Sequence, residues 1–88
     1  MIKTNIIDIR DIYYYTVIDS NNNKYELNIE FYDINIPNIG DILYFPKRIL
    51  VNNGVYSFGM IKDTNNTLDD YIVVILNGKK FYLQRYYG

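Results

Sequence analysis

The chain has no cysteine, no histidine, no tryptophan and no alanine, and only two prolines among its 88 residues. Without cysteine there is neither a disulfide framework nor a thiolate metal site. Without histidine, three things are missing together: the commonest general base, the commonest neutral metal ligand and the usual pH switch. A chain of this length is large enough for one core without covalent staples. Residues 1–88 therefore read as a single small domain. Long apolar runs are also lacking. The opening "MIKTNIIDIRDIYYY" has no basic segment followed by an unbroken apolar stretch, so we expect no signal peptide, no membrane span and a cytoplasmic location. No cofactor and no metal are expected.

What is present is isoleucine, asparagine and tyrosine, the last eleven times. All three have AT-rich codons, so an AT-rich genome accounts for much of the bias and weakens the tyrosines as a sign of a stacking surface. The net charge of −1 gives no drive toward nucleic acid or membrane. Its distribution is uneven: residues 1–46 carry three basic and seven acidic groups, residues 47–88 six basic and three acidic.

No stretch carries a helical period, whereas β-branched and aromatic residues recur between Asn, Gly, Asp and Pro punctuation. A first strand is expected over residues 4–18, with a bulge or sharp bend near Arg10 and Asp11 where the alternation slips. A second, Lys24 to Tyr32, alternates cleanly, with Tyr25, Leu27, Ile29 and Phe31 on its inner face. "PNIGD" launches a third strand that Pro46 breaks, marking an edge. Asn53-Gly54 predicts a two-residue hairpin that pairs Val51 with Tyr56 and Ile49 with Phe58, leaving no room for a helix. After a polar loop, "IKDTNNTLDD", the strongest hairpin signal is Asn77-Gly78. It pairs Val74 with Phe81, Ile72 with Leu83 and Asp70 with Arg85.

These elements predict an all-β fold, a small antiparallel barrel or rolled sheet of five to six strands. The acidic-aromatic first hairpin followed by "NIGDILYF" resembles an OB-fold opening over the first half of the chain. OB-like is therefore favoured; the helix that usually follows the third strand has no counterpart, which leaves an SH3-like barrel as the alternative.

One segment comes near a chemical motif. In "DSNNNKYELNIE", Asp19, Asn21, Asn23 and Glu30 have the spacing of calcium-loop ligands. Lys24 stands where that loop needs glycine, both flanks have strand period, and Glu30 is inside a strand. A hairpin turn with Asn in left-handed conformations is the better reading. Of the carboxylate pairs Asp8/Asp11, Glu26/Glu30 and Asp69/Asp70, Glu26 and Glu30 read as a solvated strand face with no basic or apolar partner implied, Asp69 and Asp70 flank a strand start with Asp70 set to pair with Arg85, and Ser20 and Ser57 have no histidine to activate them. An enzyme is not expected.

Two binding readings remain. The last hairpin is apolar on both faces, and Tyr71, Val73, Ile75 and Tyr82 on its second face form a candidate interface with another protein or a second copy. Alternatively Tyr44, Lys47, Arg48, Tyr56, Lys79, Lys80, Tyr82, Arg85 and Tyr86 supply the aromatic and basic groups that single-stranded nucleic acid requires, although the net charge disfavours it.

Overall fold

The computed structural model of the protein describes residues 1–50, 54–60 and 71–86. Seven strands form a closed barrel: β1 (Ile2–Arg10), β2 (Tyr14–Asp19), β3 (Lys24–Phe31), β4 (Ile42–Phe45), β5 (Tyr56–Met60), β6 (Tyr71–Leu76) and β7 (Lys79–Arg85). Around the barrel they run β1-β2-β3-β5-β7-β6-β4, and β4 returns to pair with β1. The all-β small barrel is as expected, but the strand count is higher and one pair is parallel. β5 runs alongside β3 in parallel, Ile29 opposite Tyr56 and Phe31 opposite Phe58.

The extra strand comes from the first segment. Residues 4–18 are not one bent strand: Asp11 and Ile12, at φ 51° and 57°, turn the chain between β1 and β2, and Arg10 pairs with Tyr14. This turn has the left-handed geometry of a tight hairpin but lacks the Asn-Gly that would announce it. It is held from inside instead, where the Tyr15 hydroxyl donates to the Ile12 carbonyl at 2.9 Å. The bulge also sits earlier than expected. It falls between Ile6 and Asp8, so Ile7 is the extra residue and is exposed, whereas Ile9 packs against the core.

The β2–β3 connection is the turn that "DSNNNK" promised. The Asp19 carboxylate accepts from the backbone N–H of Asn21 and of Asn23, both at 2.9 Å, from Asn23 Nδ2 at 3.2 Å and from the Tyr25 hydroxyl at 3.0 Å. Asn22 takes the left-handed position at φ 64°. Desolvation alone would push the Asp19 pKa up, but these hydrogen bonds from Asn23, Tyr25 and Asn21 outweigh it, and the pKa is lowered.

Residues 32–41 cross to β4 by a route stitched to β1: Gly40 N–H donates to the Ile6 carbonyl at 2.8 Å, and Ile6 N–H to the Asp41 carbonyl at 2.9 Å. Pro46 ends β4, as expected, but not at a sheet edge, because β4 pairs with β1 on one side and β6 on the other. The chain then makes a 3-10 turn over Lys47–Leu50 that buries Ile49. The expected β4–β5 hairpin is not formed: Ile49 lies in this turn, and Phe58 pairs with Phe31 and Arg85. The predicted partner Val51, the Asn53 turn position and the loop 61–70, with Asp69 and Asp70, lie outside the described residues.

The β6–β7 hairpin has the expected register, Val74 opposite Phe81 and Ile72 opposite Leu83. Asn77 and Gly78 supply the left-handed pair at φ 50° and 82°. Inward side chains of all seven strands fill the barrel, with Val17, Ile29, Leu43, Phe45, Phe58, Ile72, Val74 and Leu83 fully buried. The buried Thr4 hydroxyl donates to the Leu43 carbonyl at 2.8 Å, so the one polar side chain among the described buried residues is satisfied.

Two outcomes follow. Phe58→Ala empties the centre of the strand that joins the two halves of the barrel and should cost about 3–5 kcal/mol in urea unfolding, whereas Tyr82→Ala on the outside should cost far less. Asp19, with its folded pKa below the unfolded value, contributes stability that is present above the unfolded carboxylate pKa. That contribution is lost as pH falls through the folded pKa. Asp19→Asn should therefore be less stable than the parent at neutral pH, and the gap measured by thermal unfolding should close as the pH is taken below the ordinary carboxylate range.

Candidate interaction face

Alternation along each strand decides which side chains the barrel presents outward. Because Thr4, Leu43, Ile72, Val74 and Leu83 point inward, Lys3, Tyr44, Val73 and Tyr82 point outward. Register places them side by side: Lys3 opposite Tyr44, Tyr44 opposite Val73, Val73 opposite Tyr82. The next row is Asn5, Ile42, Ile75 and Lys80, and Tyr71 stands opposite Gln84 beyond Val73. The four residues of the expected protein interface, Tyr71, Val73, Ile75 and Tyr82, thus share one continuous face, extended by Ile42 and Tyr44 of β4.

Val73 is only 7% exposed although it is on the outside. Its cross-strand neighbours are both tyrosines, at the separation where large side chains cover what lies between them. Tyr82 stands 50% exposed, and the Lys80 ammonium lies 5.9 Å from its ring centroid. The described outward positions of β4, β6 and β7 hold no carboxylate; the charges bordering the apolar centre are Lys3 and Lys80.

The opposite side of the barrel differs in character. Outward positions of β1–β3 include Asp8, Arg10, Glu26 and Glu30. Arg10 reaches Asp8 at 3.9 Å and Glu26 at 3.8 Å. Glu26 therefore has a basic partner that strand spacing alone did not imply. Both pairs are solvent-exposed and contribute little to stability. Among the described residues no cluster of three or more carboxylates is placed to hold a metal ion, and no helix is long and apolar enough to cross a membrane.

The nine candidate nucleic-acid residues do not converge. Tyr44, Lys80 and Tyr82 lie on the β4–β6–β7 face. Lys47 and Arg48 are exposed on the 3-10 turn. Tyr56 is 5% exposed inside the barrel, and the Arg85 guanidinium lies 4.3 Å over its ring, so Tyr56 offers no open face for a base. Lys79 is on the other side of β7 from Lys80, near the Phe81 ring. There it lines an open groove of about 680 Å³ with Asp33, Ile34, Asn35, Leu76, Asn77 and Phe81. Tyr86 packs on Tyr32 and donates to Asp33. Burial pushes the Tyr15 hydroxyl up to about 12, which keeps it protonated as a donor to Ile12.

The grouping of Tyr32, Asp33 and Tyr86 is not visible in the linear pattern. "FYD" and "RYY" are strand ends 54 residues apart (Tyr32 to Tyr86), and only the placement of β5 between β3 and β7 brings them together. Comparison with protein-family models, with curated proteins and with solved structures found no match to this chain.

Proposed function

We propose that the protein is a non-enzymatic, cytoplasmic binding module that acts through protein–protein contact at the outer face of β4, β6 and β7. The observation that carries this reading is the gathering of Ile42, Tyr44, Tyr71, Val73, Ile75 and Tyr82 on one side of the barrel. Aromatic residues at the centre with charges displaced to the rim is the composition of a protein interface. Tyr82, large and half exposed, has the properties of an anchor residue. The rim lysines Lys3 and Lys80 favour a partner that carries acidic groups around its own apolar centre. For the barrel itself, the OB-like description is the one we favour. Its support is the β1–β2–β3 meander, after which β4 returns to pair with β1, so that β1 is shared between two ladders.

A second reading uses the same face. Tyr44 and Tyr82 are two strands apart, roughly 10 Å, and with Lys3 and Lys80 they form a small stacking platform of the kind that holds single-stranded nucleic acid. The dispersal of Lys47, Arg48, Tyr56, Lys79, Arg85 and Tyr86 and the net charge of −1 weigh against it.

One labelled sample tests both. Concentration-dependent broadening of the amide spectrum, or binding of an apolar dye, should map to Tyr44, Val73 and Tyr82. Tyr82→Glu should reduce it several-fold while changing stability by about 0.5 kcal/mol or less. Shifts of the same amides on adding mixed-sequence single-stranded DNA or RNA at low salt, reversed by salt, would transfer the face to the second reading. A face silent to dye, to self-association and to nucleic acid would sink both.

A further inference from the structure

β5 is flanked on both sides by strands that end opposite its middle residue, Phe58, and each is followed by a tyrosine. Beyond β3, Tyr32 N–H donates to the Phe58 carbonyl at 2.8 Å; beyond β7, Tyr86 N–H donates to the Ser57 carbonyl at 2.8 Å. The two rings meet over β5 at 5.5 Å between centroids and 79° between planes, as two walls of a corner. Gly59 makes the seat for one wall, since a Cβ there would run into the Tyr86 ring. Both hydroxyls are tied to carboxylates, Tyr86 donating to Asp33 Oδ2 at 2.9 Å and Tyr32 to Glu30 Oε1 at 2.8 Å. Asp33 takes a left-handed backbone at φ 66°, a conformation that Asp tolerates better than most residues other than glycine. Tyr32, Asp33, Ser57 and Tyr86 line an open cavity of about 380 Å³, and both tyrosines are more than 40% exposed.

The chemistry of this corner is that of cation recognition. The edge-to-face pair sets the edge of one ring against the face of the other; the ring face left toward the cavity presents the negative side of its quadrupole, and the Asp33 carboxylate lining the same cavity adds full charge. The two ion pairs formed between described residues, both from Arg10, lie elsewhere. A metal ion would need more hard oxygen ligands than the corner presents, and a phosphate would meet two carboxylates. A guanidinium could still share the Asp33 carboxylate, whose Oδ2 keeps a lone pair beside the Tyr86 hydroxyl, but its flat group stacks along one ring plane, whereas the two rings here stand at 79°. An ammonium group asks for a point charge and apolar walls for its carbon substituents.

We propose that the Tyr32–Tyr86 corner, closed by Asp33, binds an alkylammonium group, either a free amine or a lysine side chain, plain or methylated. This site is separate from the β4–β6–β7 face, and either can fail without the other. The affinity expected of two aromatic walls and one carboxylate is weak, on the order of 1 mM.

The test is an NMR titration of the labelled full chain with tetramethylammonium chloride, and with short neutral peptides carrying lysine or trimethyllysine, against sodium chloride at matched ionic strength. The expected result is a saturable shift confined to Tyr32, Asp33, Ser57, Gly59 and Tyr86, weakened about tenfold by Asp33→Asn. Saturation by tetramethylammonium as well as by the peptides makes free amines sufficient; saturation by the peptides alone makes the ligand a protein side chain. Tyr86→Leu should remove binding altogether, and Asp33→Asn, at an exposed position, keeps the test open if Tyr86→Leu does not fold. No saturable shift with any probe, shifts equal to those with sodium chloride, or an Asp33→Asn variant that titrates like the parent would overturn the proposal.

Discussion

Closure of the barrel through β5 is the constraint on which the rest of the structure depends. The meander β1–β2–β3 and the hairpin β6–β7 are each held by contacts between neighbours in sequence. Left alone, each would expose a row of unpaired backbone groups at its edge. Two links join them: β4, short and paired on both sides, and β5, which bridges β3 in parallel to β7 in antiparallel sense. Phe58 sits in that bridge, fully buried, with Phe31 on one side and Arg85 on the other. The parallel step is available because the chain between β3 and β5 is long enough to cross the barrel and lay down β4 on the way.

Once the barrel is closed, alternation sorts every strand into an inside and an outside. Inside, aliphatic and aromatic side chains meet from all seven strands, and among the described residues the buried polar side chain, Thr4, is bonded. Outside, the same rule yields two unlike surfaces. Strands β1–β3 carry Asp8, Glu26 and Glu30 at outward positions beside Arg10. Strands β4, β6 and β7 carry tyrosine, valine and isoleucine bordered by lysine. The two sides of the barrel therefore differ in character, with Asp8, Glu26 and Glu30 on one and an apolar outer face of β4, β6 and β7 on the other.

The tyrosines divide by the same geometry. Tyr15 is a core residue whose hydroxyl fixes a turn; Tyr25 helps hold the Asp19 turn; Tyr56 lies under Arg85 inside the barrel; Tyr44 and Tyr82 flank Val73 outside. Tyr32 and Tyr86 meet over β5. The register of the strands decides which of these tyrosines are structural and which present a face to solvent.

The sequence by itself determined the all-β class, the β2–β3 turn at Asp19–Asn23, the inner face of β3 and the register of the last hairpin. Each rests on contacts a few residues apart, where Asn, Asp and Gly set the backbone and period-two alternation sets the face. It also brought Tyr71, Val73, Ile75 and Tyr82 together, because one hairpin carries all four. The division of residues 4–18 into two strands was not announced by a turn motif, since Ile12 is a poor residue for the left-handed position it takes and is held there by the Tyr15 hydroxyl. The partners of β5 were decided by the tertiary structure: Ile49 lies in the 3-10 turn and Phe58 pairs with Phe31 and Arg85, because β3 and β7 need a strand between them. For the same reason the meeting of Tyr32, Asp33 and Tyr86 has no trace in the linear pattern, because non-local pairing, unlike turn chemistry, is chosen by what closes the barrel.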